Sequence, residues 1–266
     1  MKNKGIVIFS PSKYSLYTLC VAELCKKNNI EISGIIILNL YNYKRFKSEF
    51  KRDGKRLISK IWKKLILRKK AYKNNKRYNI VDLKIELNIE ENDLVSFSKK
   101  NNLKILFCNN FNTKKIEKFL NDLGVDIALF TGGGIIRKNI INKFRKGIIN
   151  CHMGILPDYR GMDVVEWPII NQEISKIGLT THLIDTGIDT GKIIDFNKYV
   201  IEENLDIADI RSDLEPIMAK MIVDSCKKLN KENFIFHDNP FLKGKQYYIM
   251  HEKLKKLSQK VLNKYK

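Results

Sequence analysis

Gly5-Ile6-Val7-Ile8-Phe9-Ser10-Pro11-Ser12 decides the fold class. A short apolar run of β-branched and aromatic residues ends in a Ser-Pro-Ser turn, and residues 14–27 then repeat apolar side chains at helical spacing. Residues 32–40 form a second run, apolar enough to be buried on both faces, as the strands of a parallel sheet are. Strand, turn, helix and strand in that order make a crossover unit. Outward from it the alternation continues, with strand-like or helical pieces at 80–87, 91–100, 103–108, 113–120 and 125–131. A strand at 148–150, a turn-rich stretch at 154–161, a strand at 179–184 and a tight loop at 185–191 follow. A long amphipathic helix is expected at 206–229 and a basic one at 252–264. The fold class is α/β, a mostly parallel sheet flanked by helices.

The chain has 266 residues, 44% hydrophobic and 30% charged. That is enough apolar material for a sizeable core and excludes both global disorder and a collagen-like fibre. Fifty Lys and Arg against 29 Asp and Glu give a net charge of +21, a balance that raises nucleic acid or an anionic membrane as a partner. Its distribution matters more: residues 44–77 hold 16 Lys and Arg and two acids, a net of +14. There Ile58, Ile61, Trp62 and Leu65 line one face of an amphipathic helix whose other face is cationic. The segment reads either as a peripheral contact for an anionic membrane or an RNA, or as an insertion with one face packed and one solvated. The second reading is preferred, because Lys, Asn and Ile are abundant throughout, and nucleic acid is disfavoured as a partner.

The five cysteines are odd in number and show no CxxC pairing, which indicates neither a disulfide framework nor a zinc ribbon. Residues 1–5 lead into the first strand without an apolar signal stretch, and no run reaches the about 18 apolar residues that span a bilayer. A cytoplasmic setting is expected, at most peripheral to the inner membrane face. With no repeat and no Pro/Gly/Ser-rich linker, the division expected is a domain over 1–200, carrying the basic insertion 44–77, and a helical C-terminal extension over 201–266.

Of the histidines, His152 and His182 end strand-like segments beside loops dense in Gly, Pro and Asp, where ligands bind in open α/β sheets. Asn150 precedes His152 by two residues, so in an extended chain both side chains face one way. Asp189 sits in Asp185-Thr186-Gly187-Ile188-Asp189-Thr190-Gly191, whose glycines permit a sharp turn. An amide donor, an imidazole and a carboxylate are what acyl transfer to an amine requires: one stabilises an oxyanion and two move protons. The same pattern also describes a capped turn beside a surface histidine, and the residues alone leave both open.

Asn150-Cys151-His152-Met153-Gly154-Ile155-Leu156-Pro157-Asp158-Tyr159-Arg160-Gly161 resembles the signature of the folate-dependent formyltransferases, Asn-x-His-x-x-x-Leu-Pro-x-Tyr/Trp-Arg-Gly. The stretch from Gly178 to Gly191, ending in Asp-Thr-Gly, resembles that family's second block. The resemblance implies a Rossmann-like formyltransferase domain with a small helical C-terminal addition. It implies Asn150, His152 and Asp189 as the catalytic residues, 10-formyltetrahydrofolate as formyl donor and no metal. Asn150 and His152 would stabilise the oxyanion and Asp189 would assist proton transfer through water. The pterin would pack between Gly132-Gly133-Gly134-Ile135-Ile136 and Asp185-Thr186-Gly187-Ile188. Three glycines stand where the family more usually has a bulky residue. They lack the Lys-Ser/Thr of a phosphate-cradling loop.

Three acceptors occur in the family. Seventy-seven residues follow Asp189 and read mostly helical, which disfavours a tRNA acceptor needing a C-terminal barrel. Ser10-Pro11-Ser12 stands where glycinamide ribonucleotide enzymes carry a Gly-rich phosphate loop. A nucleotide-linked amino sugar, used for surface polysaccharide, is the acceptor expected. Tyr159, Arg160 and Gly161 would lie beside it, with Arg160 either pairing with its diphosphate or holding the loop. His182 would line the site or pack in the core, and Cys151 is read as a core residue. Gln246-Tyr247-Tyr248 would cover the acceptor or form a homodimer contact. A scaffolding protein that uses 44–77 to bind polyanions is the alternative from another class.

Overall fold

The computed structural model describes residues 5–39 and 77–265. The expected basic helix therefore lies outside the described residues, except for Arg77, whose guanidinium binds Asp213 and Glu202. Among the described residues the main sheet has seven strands: β1 (Ile6–Ser10), β2 (Ile32–Leu38), β3 (Lys104–Cys108), β4 (Ile127–Phe130), β5 (Gly147–His152), β7 (Gly178–Leu183) and β8 (Ile193–Lys198). Their order is β3-β2-β1-β4-β5-β7-β8. The first five are mutually parallel, and β7 and β8 are antiparallel to their neighbours. Two short strands, β6 (Tyr159–Gly161) and β9 (Lys245–Tyr247), pair in parallel as a separate ribbon.

Alternation along the central strands feeds two cores, one on each face. Ile6, Ile8, Ile35, Ile37, Ile149 and Cys151 point into the larger one, and Val7, Phe9, Ile36, Leu38 and Ile148 into the smaller. The larger core is closed by α1 (Leu16–Lys27), α2 (Ile80–Glu86), α3 (Leu94–Lys100) and, in chain order after α4 (Lys114–Leu123), α5 (Lys138–Ile141) and α6 (Glu166–Ile170), by α7 (Ile207–Asn230). The helix α4 closes the smaller core with Ile116 and Leu120, and α5 with Ile140. A last helix, α8 (Glu252–Leu262), packs on α6.

Local chemistry explains the helix starts. Ser15 accepts from the Thr18 N–H before α1, and Asp206 forms a reciprocal capping box with Asp209 before α7. The 24-residue α7 presents Ile210, Leu214, Ile222, Val223 and Cys226, all buried, to the sheet and to α1. The sequence from 201 onward is thus bound in twice, by α7 in the main core and by β9 paired to β6. All five cysteines are free and buried, Cys151 among them, and burial raises its thiol pKa far above the usual value. No helix among the described residues is long and apolar enough to cross a membrane.

Ile222 is fully buried, so Ile222→Ala removes core packing that the sheet shares. A loss of about 2–5 kcal/mol, read by urea unfolding as a lower midpoint of one cooperative transition, is expected. A separate early transition would show instead that α7 unfolds apart from the sheet.

Candidate active site

The site forms where β5 ends beside β7. Their antiparallel register sets Asn150 opposite His182 and His152 opposite Thr180, with all four side chains on one face. Asn150 Nδ2 lies 3.1 Å from His182 Nε2. Because His182 Nδ1 is 2.9 Å from the Leu183 carbonyl, which only accepts, the proton sits on Nδ1 and Nε2 accepts from the Asn150 amide. His182 is 2% exposed. Of the two places expected for it, in the site or in the core, it takes the first, between Asn150 and the loop carboxylate.

That carboxylate is Asp189, on the loop between β7 and β8. Its Oδ2 is 3.5 Å from His152 Nδ1 and its Oδ1 3.5 Å from His182 Nε2. The Gly161 N–H donates to Oδ2 at 2.8 Å. Gly161 has φ +98°, and a Cβ there would lie 2.2 Å from the Tyr247 carbonyl oxygen, so only glycine lets β6 approach β9 while donating to Asp189. His152 Nε2 donates to the Tyr159 carbonyl at 2.8 Å, which leaves Nδ1 facing Asp189.

Burial pushes the His152 imidazole below its ordinary 6.5 and nearby His182 adds to this, while Asp189 and the Tyr159 carbonyl pull upward without prevailing. Burial alone would raise Asp189, but His152, His182 and the Gly161 N–H outweigh it and hold the carboxyl well below the usual range. At neutral pH the pair is a carboxylate and a neutral imidazole with an open proton-accepting nitrogen.

A cavity of about 100 Å³ adjoins this cluster, lined by Phe130, Gly134, Ile135, Ile136, Asn150, His182, Ile184, Asp185, Gly187, Ile188 and Asp189. Larger hollows exist, one of about 530 Å³ between β8 and α7 and one of about 280 Å³ lined by His237, Asp238 and Asn239, but neither contains a residue of the 150–161 signature. Ligand pockets typically run to about 300–1,000 Å³, so this one suits the reactive end of a ligand. Its apolar wall of Phe130, Ile135, Ile136, Ile184 and Ile188 fits a flat heterocycle such as a pterin, and nothing lies within 4 Å of where a Gly134 side chain would project. Of the residues expected to hold folate, Gly132, Gly133 and Thr186 stand outside the lining. Gly133 is backed by Leu38 and Phe111, which a Cβ would meet at 2.8 and 2.9 Å. The space a bulky residue would fill is therefore taken by those two side chains. The Asp185 carboxylate closes its own loop on the Gly187 N–H and the Thr190 hydroxyl.

Tyr159, expected beside the acceptor, is 1% exposed, with its ring stacked on Tyr247 at 4.9 Å and its hydroxyl on Glu173. Packing under β9 excludes its side chain from the cavity, and its link to the site is the carbonyl on His152. Arg160 Nη1 donates to the Ile188 carbonyl at 3.3 Å. Among the described residues no group of three or more His, Cys, Asp or Glu is arranged to hold a metal ion.

The Formyl transferase family model matches residues 81–225, over half of the chain. The methionyl-tRNA formyltransferase of Caldanaerobacter subterraneus subsp. tengcongensis is 34% identical over 118 residues, 44% of this chain and 37% of that protein. That of Solibacter usitatus is 41% identical over 78 residues, 29% of this chain and 25% of that protein. The chain thus matches between a quarter and little more than a third of the length of these curated relatives. Among solved structures, phosphoribosylglycinamide formyltransferase from Bacillus halodurans gives a TM-score of 0.56 at 15% identity, over 87% of this chain and all of that one. A sugar 3N-formyltransferase solved with dTDP and 5-N-formyl-THF gives 0.54 at 19%, over 93% of this chain and 70% of that one. These two likenesses carry the fold.

The depressed His152 pKa fixes the sign of a pH effect. The unfolded chain binds the His152 proton more readily than the folded one, so native stability is lost as pH falls below 6.5 and on through the lower folded value. Thermal midpoints measured from about pH 7.5 to about pH 5 should fall less steeply for His152→Gln than for the parent. Parallel curves would remove the buried neutral imidazole.

Proposed function

We propose that this chain, which belongs to the formyl transferase family, transfers a formyl group from 10-formyltetrahydrofolate to the primary amine of a nucleotide-linked amino sugar, for surface polysaccharide synthesis. The observation that carries formyl transfer is the convergence of His152 and His182 on the Asp189 carboxylate, with Asn150 on His182, beside an apolar cavity. When bound, the folate supplies an activated formyl group. Gly134, Ile135, Ile136, Asp185, Gly187 and Ile188 would hold its ring system.

The protein's own part is orientation and proton handling. One N–H of the Asn150 amide is spent on His182, and the other is directed at the oxygen on which negative charge develops as the amine adds. His152 Nδ1 accepts the proton that the attacking nitrogen sheds, and Asp189 stabilises the imidazolium so formed. Burial, by keeping His152 neutral, leaves that nitrogen able to accept at neutral pH.

Two observations support a sugar nucleotide as acceptor. Arg160 reaches the Asp189 loop, where a guanidinium suits a diphosphate. Trp167 stands beside Tyr247, 5.1 Å between rings, with its indole N–H on the Tyr248 carbonyl. This gives an aromatic surface next to Gly161 for a nucleobase. The turn after β1 disfavours a ribonucleotide phosphate there: the Ser10 hydroxyl bonds Ser12 and Thr18, and Ser15 caps α1. A cytoplasmic location goes with this reading, as both reactants are made there. Methionyl-tRNA is the second reading, favoured by the names of the curated relatives and by the +14 of residues 44–77.

The test is formyl transfer by purified protein to nucleotide-linked 3- and 4-amino sugars, glycinamide ribonucleotide and methionyl-tRNA. Product from an amino sugar alone is expected, reduced about 10²–10⁴-fold in His152→Ala and Asp189→Asn and about 10²–10³-fold in Asn150→Ala. Product from methionyl-tRNA alone would replace the acceptor. Wild-type protein no better than His152→Ala with every amine would overturn the reading.

A further inference from the structure

Asp189 has φ +54°, in the left-handed region, which costs a non-glycine residue some energy though aspartate tolerates it better than most. Within the loop the Asp185 carboxylate holds the Gly187 N–H and the Thr190 hydroxyl, which leaves the Asp189 and Gly191 carbonyls to be held from outside. That task falls to a side chain about fifty residues downstream. Asn239 Nδ2 donates to the Gly191 carbonyl at 2.7 Å and to the Asp189 carbonyl at 3.3 Å, so one NH₂ group spans the two peptide oxygens on either side of Thr190. Asn239 is itself held. His237 exchanges backbone hydrogen bonds with Ile193 at the start of β8, N–H to carbonyl in both directions at 2.9 and 3.3 Å, and Pro240 follows.

The other end of the amide is informative. Asn239 Oδ1 is buried without a hydrogen-bond partner. A buried acceptor left unmade is a standing cost, which a residue kept only for packing would avoid. The Asp189 carboxylate must meet two imidazoles at 3.5 Å while accepting from Gly161, and a rotation of its peptide would break all three contacts together.

We propose that Asn239 is a positioning residue that locks the Asp189 peptide in its left-handed conformation and so sets the carboxylate against His152 and His182. The catalytic consequence rests on the formyl-transfer reading above; the positioning itself does not. Asn239→Asp keeps the shape but replaces both N–H donors with acceptors facing carbonyls, and Asn239→Ala removes the tether.

The experiment reads the His152 titration by NMR on histidine-labelled protein, together with the pH profile of formyl transfer. His152 is faced by Asp189 from the loop, His182 from β7 and the Tyr159 carbonyl from β6, and of the two that raise its pKa, Asp189 and the Tyr159 carbonyl, Asp189 acts the more strongly. In both variants the carboxylate retreats, so the His152 midpoint moves to lower pH. The acid limb of kcat moves with it, kcat falls about 10–100-fold, and KM for the folate changes less than about threefold. Partial unfolding would move the midpoint the other way, toward 6.5, which separates lost positioning from lost structure.

An unchanged midpoint in folded Asn239→Asp and Asn239→Ala overturns the proposal, as does a full fall in kcat when Asn239→Ala is added to Asp189→Asn. A shifted midpoint in a protein that formylates no amine upholds the positioning and overturns the formyl-transfer reading instead.

Discussion

The pairing of β5 with β7 is the constraint on which the site depends. A parallel neighbour on one side and an antiparallel one on the other give β5 two different registers, and the antiparallel one sets Asn150 against His182. Core packing enforces it. Ile149 and Cys151 alternate with the site residues and point into the larger core, so a slip of one residue would bury the amide and imidazole and expose the apolar pair. The geometry at the site is therefore held by side chains that never touch it.

Electrostatics follow from the same arrangement. His152 is buried because β6 folds over it, and its Nε2 proton is committed because the Tyr159 carbonyl is the acceptor at hand. What remains is one nitrogen opposite one carboxylate, in a setting dry enough that their mutual influence outlasts screening by solvent. The Arg211 guanidinium, on α7, binds Glu166 and approaches Asp163 and the Met153 sulfur, so the segment after His152 is also pinned from the helix side.

Where periodicity is strong the sequence is legible. The first strand, α1, the second strand and the long α7 announce themselves by spacing and caps. Strand spacing shows that Asn150 and His152 face one way, but a capped turn fits the same pattern, and it is the resemblance of 150–161 and 178–191 to the family blocks that singles out these two and Asp189. The role of His182 depends on which residue of another strand lies opposite, a fact that no local pattern contains. Tyr159 looked like a binding residue in a turn-rich loop, and only the pairing of β6 with β9, three residues each, shows why it is buried. Such strands are too short to carry a period. Asn239, a polar residue before a proline, sends no signal of its own.

The β6 and β9 ribbon joins Tyr159, Arg160 and Gly161 to Lys245, Gln246 and Tyr247. Strands far apart in the chain meet there, at the step that aims Gly161 at Asp189. During synthesis the sheet through β5 can assemble from residues already made, whereas Gly161 finds its partner only after α7 and the residues beyond it have left the ribosome. The cluster of Asn150, His152, His182 and Asp189 is thus among the last parts of the molecule to be completed. A nascent chain can bury most of its apolar surface well before it is able to do chemistry.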